Sequence, residues 1–218
     1  YEQENKVYIN IREITLIGQG SEENLDKYIR GRVINGFENL YAYIITADGE
    51  ISLHHTVYPQ GRMPLWLPRI GLTLTLDKSL DQVEWYGRGP QENYPDRKTG
   101  YKTGVYSSTV KDMYEPYLIP QDYGLRTDNR WLRMTNIVGK GLEFSMDQWF
   151  NFNTYPYSTD NLTKAVYTYQ LQEQDGITLN LDYATSGVGC TARGIFDAYR
   201  AMPQLYERKI NIRLIRNK

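Results

Sequence analysis

Residues 70–76 read Ile-Gly-Leu-Thr-Leu-Thr-Leu, and this alternation of large apolar with small or polar side chains decides the fold class. A period of two places successive side chains on opposite faces of a β-strand. One apolar and one polar face are typical of antiparallel sheets that cover a core on one side. The stretch therefore predicts a strand of a layered β-protein.

The same period recurs through most of the chain. Asp48-Gly49 lies between two apolar runs and predicts a hairpin, as does the Gly-Lys-Gly sequence at 139–141. Apolar residues change parity within residues 7–16, which predicts a β-bulge near Glu13. A short helix is expected over 158–165, capped by Ser158 or Thr159. Further strands are expected at 40–46, 51–58, 82–86, 104–110, 131–138, 142–150, 177–181 and 210–214.

No stretch of ten or more residues has a convincing helical period. Many short strands at fairly regular spacing, without helices between them, favour an all-β fold over a parallel α/β fold. No linker-like segment or internal repeat divides the chain. We therefore expect one large antiparallel β-sandwich domain over residues 1–218. Because the chain begins at Tyr1 without Met and enters a strand at once, we expect it to be a fragment of a larger multidomain enzyme.

Composition excludes several kinds of partner. The 218 residues carry a formal net charge of -1, which argues against binding to a nucleic-acid backbone. No apolar run reaches the roughly 18 to 20 residues that span a bilayer. Cys190 is the single cysteine, and the two histidines are the adjacent His54 and His55. We therefore expect no disulfide framework, no metal site in this chain and no membrane partner.

Two polar stretches are the candidates for binding chemistry. Residues 85–100 contain Glu92, Asp96 and Arg97, and residues 113–131 contain Asp122 and Arg126. Charged groups this dense on connecting segments form either a satisfied polar network or a ligand site. The chain also has 20 Tyr against 5 Phe and 4 Trp, and aromatic faces can cover the apolar side of a sugar. Tyr equally suits half-buried strand positions, so both interpretations stay open.

Direct catalysis has weaker support. Carboxylate pairs suited to glycoside hydrolysis are available at Glu92/Asp96, Glu115/Asp122 and Glu143/Asp147, but spacing in a β-protein fixes no distance between them. His54 and His55 should point to opposite faces of one strand, so one of them could line a cleft. The glycine-rich loop around Cys190 lacks the spacing of a phosphate-binding loop.

Several of these stretches together resemble a known protein family. Residues 67–72 read Leu-Pro-Arg-Ile-Gly-Leu, and residues 85–97 read Trp-Tyr-Gly-Arg-Gly-Pro-Gln-Glu-Asn-Tyr-Pro-Asp-Arg. Together with Met-Tyr-Glu-Pro-Tyr at 113–117, Pro-Gln-Asp-Tyr-Gly-Leu-Arg at 120–126 and Gly-Val-Gly at 187–189, they resemble the carboxy-terminal domain of β-galactosidases of glycoside hydrolase family 2. The resemblance spans roughly residues 67–190.

The resemblance implies a supersandwich related to galactose mutarotase that contains no catalytic residue. In the family the catalytic glutamates and metal ligands lie in a separate barrel, so Mg or Na ions would belong there, and this domain packs on the barrel and completes a wall of the sugar pocket. Some members place an aromatic residue after the Gly-Val-Gly turn. Here the loop has no Trp, so either Arg193 or Phe196 replaces it or the parent enzyme prefers a different leaving sugar.

The resemblance also sets the expected partners. These are a galactoside or related sugar and the other domains of the parent enzyme, which is expected to be a homo-oligomer in a bacterial cytoplasm or periplasm. The substrate-contact candidates are the seven residues Arg193, Phe196, Glu92, Asp96, Arg97, Asp122 and Arg126. Two alternatives stay open: a carbohydrate-binding or structural module of another glycosidase, and a mutarotase-type aldose epimerase that uses His54 or His55.

Overall fold

The computed structural model describes residues 2–3, 5–17, 35–190 and 194–216. The regular secondary structure of this part of the chain is almost entirely β-strand. One short helix, α1, spans Thr159–Lys164, and single 3-10 turns lie at Thr168–Gln170 and Asp197–Tyr199. The strands are β1 (Glu2–Gln3), β2 (Lys6–Leu16), β3 (Gly36–Thr46), β4 (Ile51–Gln60), β5 (Arg69–Leu76), β6 (Gln82–Gly89), β7 (Lys102–Thr109), β8 (Arg126–Thr135), β9 (Gly141–Tyr155), β10 (Ile177–Thr185) and β11 (Tyr206–Ile215).

The strands form two layers that share β9. The large layer has the order β1-β2-β3-β4-β11-β9-β8-β6-β7, and its neighbours are antiparallel. Residues 141–146 of β9 pair with β11 and residues 141–152 pair with β8, whereas residues 151–155 also pair with β10, which in turn pairs with β5. Because β9 continues from one layer into the other, β5 and β10 pack over the large sheet. The all-β antiparallel sandwich is confirmed.

The core lies between the two layers. Trp85, Phe144, Phe152 and Leu179 are fully buried there, and the rings of Trp85 and Phe152 meet edge to face at 5.8 Å. Leu76 of β5 belongs to the same cluster, with Leu74 packed against it. Ile70 and Leu72 pack against a second cluster, which contains Leu53, Val57, Tyr183, Tyr206 and Ile210. The alternation over 70–76 therefore marks the face of β5 that covers the core.

Most local predictions are confirmed. Gly49 has φ +89° between β3 and β4, and Gly139 has φ +79° between β8 and β9, as tight hairpins require. Ser158 caps α1 by accepting a hydrogen bond from the Asn161 N–H at 3.1 Å. The bulge predicted near Glu13 is wrong, because β2 pairs with β3 in continuous register. Both faces of β2 are largely exposed, so apolar residues on both parities need no bulge.

Candidate functional site

Three connecting segments meet at one place in the structure. They are residues 90–101 after β6, residues 110–125 between β7 and β8, and residues 186–200 after β10, and we call them together the rim. Of these, residues 191–193 lie outside the described part of the chain. The segments are far apart in sequence, and they are joined by the carboxylates of Glu92 and Asp96.

Glu92 fastens the first segment to the second. Its side chain is 6% exposed and accepts hydrogen bonds from the Gly124 N–H at 2.9 Å and the Tyr94 hydroxyl at 3.3 Å. Arg97 donates to the same carboxylate at 2.5 Å, and the Tyr117 hydroxyl donates to it as well. Four donors leave this carboxylate fully engaged, which makes it a structural anchor.

Asp96 fastens the first segment to the third. It accepts hydrogen bonds from the backbone N–H groups of Val188 at 3.1 Å and Gly189 at 2.7 Å. A Cβ atom on Gly187 would lie 2.3 Å from the carboxyl carbon of Asp96, so the backbone approaches this closely only because residue 187 is glycine. The Gly-Val-Gly turn therefore wraps around the Asp96 carboxylate.

A second polar anchor supports the start of the rim. Arg88 donates to Asp128 at 2.5 Å and to the Tyr101 carbonyl at 2.8 Å, and Lys98 donates to Asp128 at 2.8 Å. Burial acts to raise the pKa of Asp128, but the hydrogen bonds from Lys98 and Arg88 outweigh it and hold that pKa below its usual value. Asp128 is therefore charged at neutral pH and holds both cations.

Arg126 is buried beneath the rim. It is 3% exposed, lies 5.4 Å from the Trp85 ring centroid and donates to the Gly124 carbonyl at 2.9 Å. Its Nε has no hydrogen-bond partner within the described ranges. Burial lowers its pKa to about 10, while Glu115 and Glu92 act in the opposite direction. Arg126 thus stays charged at neutral pH and supplies a positive field beneath two carboxylates.

Asp122 belongs to a network that sequence reasoning did not assemble. It accepts hydrogen bonds from Arg69 at 3.1 Å and from Asn153 at 2.8 Å. Arg69 also donates through Nε to Asp182 at 3.0 Å and makes a second, very short contact with that carboxylate. Burial raises the pKa of Asp182, and Arg69 partly offsets this. Arg69 was quoted in the family motif, but no signal paired it with Asp182, which is 113 positions away.

The rim also exposes apolar side chains. Leu118 is 93% exposed and Phe196 is 60% exposed, and Ile119 and Val188 are exposed as well. Arg193 lies outside the described residues, so its predicted contact is not placed. The structure thus brings Glu92, Arg97 and Arg126 together around Gly124 and leaves Phe196 at the surface. Asp96 is bonded separately to the Gly-Val-Gly turn, and Asp122 belongs to the network of Arg69. Contact of these residues with substrate stays a prediction.

The arrangement offers little for direct hydrolysis. Glu92 and Asp96 are engaged as described, Glu143 is paired with Arg133 and Arg213, and Asp147 accepts from the Lys209 N–H. Within the described residues, no group of three or more His, Cys, Asp or Glu side chains is arranged to hold a metal ion. The described helices include none with the length and apolar character needed to cross a membrane. The site is therefore a rim that polar anchors hold together and that exposes apolar side chains. We call these exposed side chains the apolar tips: Leu118, Ile119, Val188 and Phe196.

Comparison with known proteins adds a family to this geometry. Residues 4–212 match the family described as beta galactosidase small chain. A beta-galactosidase from Priestia megaterium is 38% identical over 147 residues, which are 67% of this chain and 14% of that protein. A beta-galactosidase from Actinobacillus pleuropneumoniae is 35% identical over 178 residues, which are 81% of this chain and 17% of that protein. The chain thus spans about one seventh of the length of such relatives.

A solved structure with a similar fold is galactose 1-epimerase from Lactobacillus acidophilus. The two structures align with a TM-score of 0.50 at 7% sequence identity. The alignment covers 99% of this chain and 64% of the epimerase chain. At this identity the likeness concerns the fold, and it agrees with the mutarotase-like supersandwich expected from the sequence.

Proposed function

The chain belongs to the beta-galactosidase small-chain family, and we propose that it is the non-catalytic β-sandwich domain of an enzyme that hydrolyses terminal β-D-galactosides. In this proposal residues 1–218 are one domain of a larger protein, and the catalytic groups come from the part outside it. The domain packs on the catalytic part and shapes one wall of the sugar pocket.

The observation that carries the proposal is the anchoring of the rim by Glu92 and Asp96. Two carboxylates hold three connecting segments in one arrangement, and the segments they hold carry the family motifs. Anchored loops suit a pocket wall, because a wall that is already ordered loses little entropy when a ligand binds.

The exposed apolar tips support packing against another part of the enzyme. Leu118 and Phe196 lie on the rim and are largely exposed in this chain. Exposed apolar side chains on adjoining loops are suited to contact with a partner or another domain. We assign the rim to the contact with the catalytic part.

The rim residues divide by accessibility. Phe196, Asp122 and Arg97 are partly or largely exposed and are the candidates for direct contact with the galactoside, together with Arg193. Glu92 holds the Arg97 side chain, Asp96 holds the backbone at Val188 and Gly189, and Arg126 holds the Gly124 carbonyl. No ion is assigned to this chain, and Mg or Na ions would belong to the catalytic part. We propose a homo-oligomeric parent in a bacterial cytoplasm or periplasm.

The test is hydrolysis of o-nitrophenyl β-D-galactoside by the full-length protein. We expect Phe196→Ala to lower kcat/KM about 10-fold, because it removes an apolar wall of the pocket. Val105→Ala is the matched control, since Val105 is 59% exposed but lies on β7 outside the rim. Equal activity of the two variants, or hydrolysis by the 218-residue chain alone, contradicts the proposal.

A further inference from the structure

A cavity of about 300 Å³ opens between β5 and the face of β2, β3 and β4 that turns toward it. Its lining includes Glu13, Asn39, Tyr41, His55, Arg69 and Asp182. We call it the cleft. Its volume lies at the lower end of the range for small-molecule sites, roughly 300–1,000 Å³. β5 pairs only with β10 in the described part of the chain, so its other edge is left unpaired at the cleft.

His55 is the unusual residue of the cleft. It is 2% exposed, its Nδ1 lies 2.6 Å from the Tyr183 hydroxyl, and its ring stacks on Tyr41 with centroids 4.2 Å apart and planes 9° apart. Its Nε2 has no hydrogen-bond partner among the residues that the structure describes. A buried polar atom without a partner destabilises the fold and is uncommon in native proteins. His54, its neighbour in sequence, lies on the opposite face of the sheet and is exposed.

Among the described residues that line the cleft, the one cation is already paired. Arg69 is paired with Asp182 and Asp122, and Glu13 accepts a hydrogen bond from the Tyr41 hydroxyl at 2.8 Å. Burial lowers the pKa of His55 to about 4, and the nearby His54 adds to this, so the His55 imidazole is neutral at neutral pH. An anionic ligand would therefore find no unpaired cation among the described lining residues.

The hydrogen-bonding groups of the cleft that can make further bonds suit a ligand with hydroxyl groups. Carboxylate oxygens of Glu13 and Asp182 and the amide of Asn39 can accept or donate further hydrogen bonds, and a hydroxyl group does both. The ring of Tyr41 adds an apolar aromatic surface beside these polar groups. Aromatic surface with a few converging polar groups is the usual composition of a site for a small polar ring.

We propose that the cleft is a second ligand site, which adjoins the rim at the Arg69–Asp122 pair and binds a neutral hydroxyl-rich ring such as a monosaccharide. His55 lines the site and stacks on Tyr41, and Glu13 accepts hydrogen bonds from the ligand. This inference goes beyond the proposed function, because it requires neither the catalytic part nor the apolar tips of the rim.

The test is a titration of the isotopically labelled 218-residue chain with D-galactose, followed by the imidazole NMR signals of both histidines. We expect a saturable shift of the His55 signals and no shift of the His54 signals. His55→Gln should weaken the affinity at least 10-fold, whereas the matched control His54→Gln should leave it unchanged. Unmoved His55 signals, or equal affinities of the two variants, overturn the proposal.

Glu13→Gln keeps the test decisive if His55→Gln does not fold. Glu13 is exposed at the mouth of the cleft, so this substitution is compatible with folding. It removes the negative charge of the carboxylate that accepts a hydrogen bond from the Tyr41 hydroxyl. We expect about a 10-fold loss of galactose affinity, and an unchanged affinity overturns the proposal. Because hydrolysis by the full-length protein tests the rim, failure of either proposal can be recognised separately.

Discussion

Replacing Glu92 with alanine tests the anchoring of the rim at its central group. The substitution removes the acceptor for the Gly124 N–H and the Tyr94 hydroxyl, both of which are buried. Each buried donor left without a partner costs about 1–3 kcal/mol, so the two together cost about 2–6 kcal/mol. Arg97 and Tyr117 are more exposed and can turn toward water, so their lost contacts add little.

Removal of a buried carboxylate also returns part of its desolvation cost. We therefore expect Glu92→Ala to lower the free energy of unfolding by about 3 kcal/mol, at the lower half of that range. Glu92→Gln keeps one acceptor oxygen and should lose about half as much. Glu207→Ala is the control, because Glu207 is exposed on β11 and should change stability by no more than about 0.5 kcal/mol.

The assay is urea unfolding followed by tryptophan fluorescence, with the unfolding free energy obtained by linear extrapolation. For a chain of this size, 3 kcal/mol corresponds to a fall in Tm of about 6–12 °C. Amide exchange at Gly124 supplies a local measurement, since its N–H loses its acceptor. If the free energy of unfolding of Glu92→Ala lies within about 0.5 kcal/mol of that of the unmodified chain, the anchoring by Glu92 is refuted.

Three further predictions use the same stability and exchange measurements. Burial lowers the pKa of His55 from 6.5 to about 4 in the folded chain. Between pH 6.5 and pH 4 the imidazole is therefore protonated in the unfolded chain but not in the folded chain. Acidification from pH 6.5 to pH 4 should remove up to about 3 kcal/mol of the free energy of unfolding. His55→Gln should lose this part of the pH dependence and His54→Gln should retain it, and equal slopes would contradict the assignment. Asp96→Ala should speed amide exchange at Val188 and Gly189 about 10- to 100-fold, and unchanged protection would show that another group holds the turn. Ser158→Ala should lower the unfolding free energy by about 0.5–1 kcal/mol, and no measurable loss would argue against the cap on α1.

Local features of the fold could be predicted from sequence. The face of β5, both hairpins and the cap of α1 depend on residues within a few positions of one another, so their patterns are visible in the chain. The passage of β9 from one layer into the other depends on which strands pair with its two halves. Pairing between distant strands leaves no local pattern, so only the family resemblance pointed to the supersandwich.

The candidate site was predictable only in part. The density of charge in residues 85–100 indicated either a network or a ligand site, and Glu92 proves to be engaged by four donors. Its partners Tyr117 and Gly124 could not be identified from sequence, because the chain contains many other side-chain and backbone donors. The pairing of Arg69 with Asp182 was missed for the same reason. The opposite orientation of His54 and His55 followed directly from strand geometry and is confirmed.

The central claim is that the rim forms one wall of the galactoside pocket. The most direct measurement is a structure of the full-length protein with galactose bound at its catalytic site. We predict that Phe196 or another residue of 186–200 lies within about 4.5 Å of the bound sugar or of the space for its leaving group. A bound sugar whose pocket is completed without any residue of the rim would contradict the claim.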